Sequence, residues 1–126
     1  MVLLDAVVRW DAAGILCRAG SHLDPANPLR HAGRLSAVCG LEYALQAAAL
    51  HGALRAGGVA QPAGYVAALR GVALLADRLD EPALGTLSVH AVLEAHEAFG
   101  MVYALDIRSE SGTRLVSGRA SIALPR

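Results

Sequence analysis

From Leu35 to Arg55 the chain reads Leu-Ser-Ala-Val-Cys-Gly-Leu-Glu-Tyr-Ala-Leu-Gln-Ala-Ala-Ala-Leu-His-Gly-Ala-Leu-Arg, and Gly57 and Gly58 follow closely. Ala, Leu, Glu and Gln favour helix, Ser36 is a good N-cap residue, and glycines close the far end. The pattern predicts a helix of about five turns. Its apolar residues run nearly all the way round, which is the signature of a helix covered on all sides. A chain of 126 residues fits a single domain, 1–126, so the rest of the sequence has to supply the cover. Glu42 breaks the apolar pattern, and Gln46 lies one turn on, on the same face and within hydrogen-bonding reach. A carboxylate in such a helix needs a partner or a raised pKa, because desolvation disfavours its charged form. Glu42 is therefore either a partly exposed or structurally bonded residue, or part of a site.

Composition narrows the classes of function. Eleven acidic residues balance eleven basic ones, all of the latter arginine, and aromatic residues make up 4%. That balance argues against a nucleic-acid binder, which would show a basic excess and stacking aromatics. The central helix is interrupted by Glu42, Gln46, His51 and Arg55, so it reads as core and not as a membrane span. The start, Met-Val-Leu-Leu-Asp, lacks a basic region and a cleavage pattern, which makes the cytoplasm the expected location. Cys17 and Cys39 are too few for a disulfide framework or a zinc site.

Around the helix the chain reads as strands. Val2 to Trp10 and Gly14 to Ala19 form a hairpin about Asp11-Ala12-Ala13-Gly14. Ser21 to Arg34, with Pro25, Asn27, Pro28 and Gly33, is a loop leading into the helix. Beyond a Gly/Pro-rich connection from Ala56 to Gly64, strands are expected at about 65–75, 84–98, 101–110 and 114–124. Leu87, Val89, Ala91, Leu93 and Ala95 point one way, and Ser88, His90, Val92, Glu94 and His96 the other. A hairpin, one long helix and four antiparallel strands make an α+β fold in which one sheet curls around one helix. The open edge of such a sheet calls for a partner subunit.

Two groups suit acid–base work. His22 opens the Pro-rich loop, and Glu42 lies on the helix. A neutral His can take a proton, a carboxyl in an apolar setting can give one, and N–H groups at a helix start can polarise a carbonyl. His31, in the same loop, is an alternative base. His51 falls on the helix face opposite Glu42 and reads as structural. His90, Glu94 and His96 share one strand face, but six residues of strand separate the two histidines by about 20 Å, too far for one metal ion. Cys39, near the helix start, reads as a small buried hydrophobe.

The strand order around one helix, His22 and Pro28 in the loop, and the run Glu42-Tyr43-Ala44-Leu45-Gln46 resemble the hotdog-fold 3-hydroxyacyl-[acyl-carrier-protein] dehydratases. Ser21-His22-Leu23-Asp24-Pro25-Ala26-Asn27-Pro28-Leu29-Arg30, with Ala37-Val38-Cys39-Gly40-Leu41-Glu42-Tyr43-Ala44, is most similar to dehydratase-like hotdog proteins of aryl polyene and related fatty-acid-type gene clusters. The resemblance implies that His22 removes the proton next to a thioester carbonyl, Glu42 protonates the departing 3-hydroxyl, and Gln46 holds the Glu42 carboxyl. It also implies that the Ala37 backbone amide binds the thioester carbonyl. The site would form between two protomers, in a homodimer or a heterodimer with another hotdog protein. No cofactor or metal would be bound; the substrate would arrive on the phosphopantetheine arm of acyl carrier protein, whose acidic surface would meet Arg30, Arg34 or Arg55. Two features depart from the family pattern. Its Pro-Gly before the helix is Ser36-Ala37 here, and the loop from His22 to Glu42 is longer than in housekeeping members. They raise the alternative of a non-catalytic hotdog partner of an active dehydratase. A third possibility, acyl-thioester hydrolysis, uses the same fold with a carboxylate that activates water.

Overall fold

The computed structural model describes residues 2–57 and 65–124. A single 3₁₀ turn, Ala37–Cys39, leads into helix α1, Gly40–Arg55. The helix thus starts later than Ser36, whose side chain makes no capping bond. Backbone pairing is the reason: Ser36 forms a bridge with Arg78, and the Ala37 N–H donates to the Asp77 carbonyl at 3.2 Å. At the far end Gly57 takes the left-handed conformation, φ 75°. Its N–H donates to the Leu54 carbonyl at 3.1 Å, which ends the helix as a glycine typically does. Gly58 and most of the expected Gly/Pro-rich connection lie outside the described residues.

Six strands form one sheet: β1 Ala6–Trp10, β2 Gly14–Ala19, β3 Tyr65–Leu74, β4 Leu87–Glu97, β5 Gly100–Arg108 and β6 Arg114–Ala123. Their order is β1-β2-β4-β5-β6-β3, and every neighbouring pair is antiparallel. The sheet curls against α1. Ile15, Cys17, Val89, Ala91, Leu105 and Ile107 fill its inner face and are buried against Leu41, Tyr43, Ala44, Ala47 and Ala48 of the helix. Three alanines at the contact let the helix lie close to the strands. A larger side chain there would force the packed layers apart, at a cost of about 1–3 kcal/mol.

The described residues do not cover the helix on all sides. One sheet can cover only one side of a helix, and Glu42 and Ala49 on the other side are exposed, with Gln46 and Ala53 half-buried between them. A helix this evenly apolar has more apolar surface than its own sheet covers.

The inward set on β4 holds through Leu87, Val89, Ala91 and Leu93 and then fails. The register shifts between Leu93 and Ala95, so Ala95 pairs with outward-facing Val102 and His96 pairs with Met101 on the helix side. The bulge adds one residue and flips everything beyond it. His90 and His96 therefore lie on opposite faces, contrary to the expectation, and the His96 ring meets Arg55 of the helix, Nη1 to Nδ1 3.4 Å. At the other edge, β3 exposes Val66, Leu69, Val72 and Leu74 beside an unpaired backbone, with Arg70 its one charged residue. No helix among the described residues is long and apolar enough to cross a membrane.

Candidate active site

His22 sits in a 3₁₀ turn, Ser21–Leu23, directly after β2. Its ring is completely buried, and Nε2 lies 2.8 Å from the Gly85 carbonyl oxygen. A carbonyl can only accept, so Nε2 carries the proton and Nδ1 the lone pair. Nδ1 is sealed from solvent and has no partner among the described residues. Burial lowers the His22 pKa; Arg30 adds to this, while the Gly85 bond and Asp5 oppose it. The ring is thus a neutral base with a spare lone pair. Gly85 supplies the anchoring carbonyl from φ 65°, ψ −150°, a conformation open in practice only to glycine, and a Cβ there would stand 2.8 Å from the Cβ of Glu110.

The loop after His22 is tied at several points. Asn27 Nδ2 donates to the Tyr43 hydroxyl at 3.0 Å, and Ser21 Oγ lies 2.7 Å from that hydroxyl. Ser21 Oγ gives its single proton to the Leu3 carbonyl at 2.8 Å, so Tyr43 must donate to Ser21. The result is a one-way relay, Asn27 to Tyr43 to Ser21 to Leu3, joining the loop, α1 and the segment before β1. Burial pushes the Tyr43 hydroxyl up, with the bonds to Ser21 and Asn27 opposing it.

A second clamp is ionic. Asp80, its side chain 3% exposed, takes Arg78 at 2.8 Å and 2.6 Å and Arg30 at 3.3 Å. Arg30 in turn donates to the carbonyls of Asp24, 2.9 Å, and His22, 3.3 Å. Bonding to Arg78 holds the Asp80 carboxyl well below the usual carboxylate range. Sequence reading missed Asp80 altogether. Arg30 is turned inward to this clamp, and Arg34 makes a surface pair with Asp77 at 2.9 Å.

Glu42 lies in the first turn of α1 and is exposed. Its charge, after burial, helps raise the Cys39 thiol. Gln46 Oε1 accepts the Leu3 N–H at 2.8 Å, which ties the segment before β1 to the helix. Past Gln46, a groove of about 380 Å³ runs along the helix, with Val2, Leu4, Val7, Ala49 and Leu50 among its walls. The Ala37 amide, expected to polarise a carbonyl, is already spent on Asp77; the 3₁₀ turn has moved the helix start past it. His31 is exposed at the base of a tight turn, bridged to Arg34, with Ala32 at φ 51° at the tip. His51 is buried as a strut: its Nε2 meets the Asp11 carbonyl at 2.8 Å and its Nδ1 the Tyr103 hydroxyl at 2.7 Å. No cluster of metal-ligating side chains is found among the described residues.

A buried base, a carboxylate on an uncovered helix face and a sheet curled about that helix set the comparison with known proteins. The family model described as ApeP-like, ApeP dehydratase, matches residues 1–126. The chain belongs to the ApeP-like dehydratase family. Among solved structures, this ApeP-like chain is similar to the dehydratase heterocomplex ApeI:P from Xenorhabdus doucetiae. The TM-score is 0.81 at 18% identity, over 99% of this chain and 84% of that one. It is also similar to AziG of S. sahachiroi, TM-score 0.71 at 15% identity over 96% and 90% of the two chains. The thioesterase HI1161 of Haemophilus influenzae follows at 0.68 and 14%, over 95% and 77%. At these identities the likeness establishes the hotdog fold. No curated protein matches the sequence.

Proposed function

We propose that this chain acts in the dehydration of a 3-hydroxyacyl thioester on acyl carrier protein to the trans-2-enoyl thioester, in fatty-acid-like or aryl polyene biosynthesis. The observation that carries the reading is the pairing of full-length membership in a dehydratase family with a His22 whose buried ring is fixed with Nδ1 free to accept a proton. His22 Nδ1 takes the proton from the carbon beside the thioester carbonyl, and Glu42 gives its proton to the leaving hydroxyl, so water departs and the double bond forms. Gln46, one turn from Glu42, positions that carboxyl. The apolar groove past Gln46 takes the acyl chain. The reaction needs no cofactor of the protein's own; the phosphopantetheine arm only delivers the substrate.

Two protomers are required on this reading. Glu42 is in water on a single chain, and an acid poised to donate near neutral pH must be withdrawn from it. The uncovered side of α1 and the bare edge of β3 are the surfaces a second hotdog subunit, identical or not, would cover. The seal over Nδ1 must open for substrate to reach it.

The test is mass spectrometry of a 3-hydroxyacyl carrier protein after incubation with the protein. Loss of one water is expected, and Glu42→Gln should abolish it without lowering Tm, since the amide keeps the shape of the carboxyl. An unchanged Glu42→Gln rate would refute the assignment. A second reading is a non-catalytic partner subunit, favoured by the spent Ala37 amide and by the heterocomplex among the similar structures. Inactivity alone, with activity on mixing with a second hotdog protein and no effect of Glu42→Gln in the mixture, would support it. Release of free thiol without enoyl product would point instead to hydrolysis.

A further inference from the structure

The turn that joins β5 to β6, residues 109–113, sits beside the segment that anchors His22 and grips it at several points. Ser109 stiffens this turn from a buried position. Its N–H donates to the Thr113 carbonyl at 2.9 Å, its carbonyl accepts the Gly112 N–H at 2.9 Å, and its Oγ accepts the Thr113 N–H at 3.2 Å. Glu110 follows. A carboxylate in an exposed hairpin turn ordinarily reaches into water, yet this one folds back over the chain that leads into β4. The Glu110 N–H donates to the Leu84 carbonyl at 2.9 Å, and its Oε1 accepts the Thr86 N–H at 3.3 Å. Its Cβ and Cδ lie 2.8 Å and 3.0 Å from where a Cβ on Gly85 would stand. Glycine makes the backbone conformation at position 85 accessible without fixing it. The bonds from Glu110 to Leu84 and Thr86, on either side, do the fixing.

The Thr86 N–H and the Gly85 carbonyl belong to one planar peptide unit. The oxygen of that unit is the atom 2.8 Å from His22 Nε2. A single rigid plane therefore links a carboxylate to the ring, in the order Glu110 Oε1, Thr86 N–H, Gly85 C=O, His22 Nε2–H. A carboxylate that accepts from an amide N–H moves electron density toward that amide's oxygen, and the bonds of such a chain strengthen one another. Asp5 and Arg30 also act on the ring. The Asp5 carboxyl takes the Gly20 N–H at 2.7 Å, and Arg30 is held by Asp80 and by the carbonyls of Asp24 and His22, so neither bonds a ring nitrogen. We propose that Glu110 is a positioning residue for His22: through the Gly85–Thr86 peptide its carboxylate holds the ring in the Nε2–H tautomer and leaves Nδ1 as the proton acceptor. In a neutral imidazole the bond made by one nitrogen decides the state of the other. A carboxylate behind the ring also stabilises the imidazolium that forms once Nδ1 takes a proton. With one peptide in between, the ring stays neutral at rest and still gains that help during transfer. The effect on turnover rests on the dehydration proposed above; the tautomer does not.

Ring-nitrogen NMR of the full chain at neutral pH tests this without substrate. The natural chain should show His22 as one neutral form, with Nε2 protonated and Nδ1 bare. Glu110→Ala should let the Gly85 peptide turn, bring an Nδ1-protonated form into view, and speed exchange of the Thr86 amide proton by about tenfold or more. Glu110→Gln, whose amide oxygen still accepts the Thr86 N–H, should keep the single tautomer. Glu110→Asp, which retains the charge and the Leu84 bond but falls short of Thr86, should act like Glu110→Ala, and it decides the matter if the Ala variant does not fold. With a 3-hydroxyacyl carrier protein as substrate, kcat should fall by about tenfold or more in Glu110→Ala, with KM within about twofold, and should fall less in Glu110→Gln. A natural ring that is mixed or Nδ1-protonated would overturn the role of Glu110. So would a single Nε2–H tautomer and unchanged Thr86 exchange in the folded Ala or Asp variant, and elimination by the natural chain would then leave dehydration standing. A tautomer lost in these variants, with no water eliminated by the natural chain alone or mixed with a second hotdog protein, would support the role of Glu110 and refute dehydration.

Discussion

Replacing Asp80 by Asn removes one negative charge from a nearly closed cluster and leaves its shape. Asp80 receives two short bonds from Arg78 and a longer one from Arg30, and among the described residues it is the only carboxylate that joins the two. Breaking a buried pair from one side costs about 3–5 kcal/mol when the orphaned partner stays buried. Arg78 is 37% exposed and regains water, and the Arg30 bond is long, which lowers the expected loss to about 2–3 kcal/mol. For a chain of this length that is roughly 6–15 °C in Tm. The loss also depends on pH. The carboxyl is held below its unfolded value near 3.9, so its contribution is fully present above about pH 4 and disappears as pH falls through the lowered folded value. Thermal melts of both proteins from pH 7 downward should therefore show a constant gap that closes below about pH 4. A gap under about 2 °C at pH 7, or one that is the same at every pH, would refute the clamp. Because Arg30 grips the His22 carbonyl, a real clamp should also lower turnover in the Asn variant at temperatures where it is fully folded.

Three further outcomes are expected. Tyr43→Phe removes the middle of the Asn27–Tyr43–Ser21 relay and leaves a buried amide donor short of one partner, so denaturant melts should show a loss of about 1–3 kcal/mol with an unchanged m-value. Since the folded His22 pKa lies below its unfolded value, stability should be complete above about pH 6.5 and fall as pH drops through the folded value; His22→Gln should remove that part of the pH dependence in melts recorded between pH 7 and 5. Gly85→Ala places a Cβ 2.8 Å from Glu110 at a positive φ, and a melt should show a loss of about 2 kcal/mol or more, with displacement of the His22 ring visible by NMR.

Much of the fold was legible because period and punctuation carry it. The alternation Leu87, Val89, Ala91 announced an inward strand face, and the small residues of the helix announced a covered element. Less was legible wherever long-range pairing decides local geometry. Nothing in the run Ser36-Ala37 shows that Ser36 will bridge to Arg78 and use up the Ala37 amide. The alternation on β4 continues in the sequence past Glu94, but the backbone bulges there, so His96 ends beside Arg55 instead of beside His90. The helix looked enclosed because apolarity shows that a surface is to be covered without showing by which chain. At the candidate site, His22, Glu42 and Gln46 stood out by type and order. Asp80 did not: a carboxylate between charged neighbours reads as surface, and only the arrival of Arg30 from the loop makes it a buried hub. Tyr43 and Asn27 were hidden for the same reason, since a relay between residues far apart in sequence leaves no spacing to notice.

That relay has a consequence for sequence drift. Leu3 hands its N–H to Gln46 and receives the Ser21 proton on its carbonyl, and Tyr43 connects Ser21 to Asn27. Positions 21, 27 and 43 are thus coupled through one chain of protons with a fixed direction, while position 46 holds the same segment by a separate bond. A change at one of these three is tolerated when another changes with it to keep donors and acceptors matched, and is penalised when it comes alone. Relatives of this chain should therefore exchange these side chains as a set. The loop that carries His22 is then inherited together with its fastenings, even where its own length and surface residues change freely.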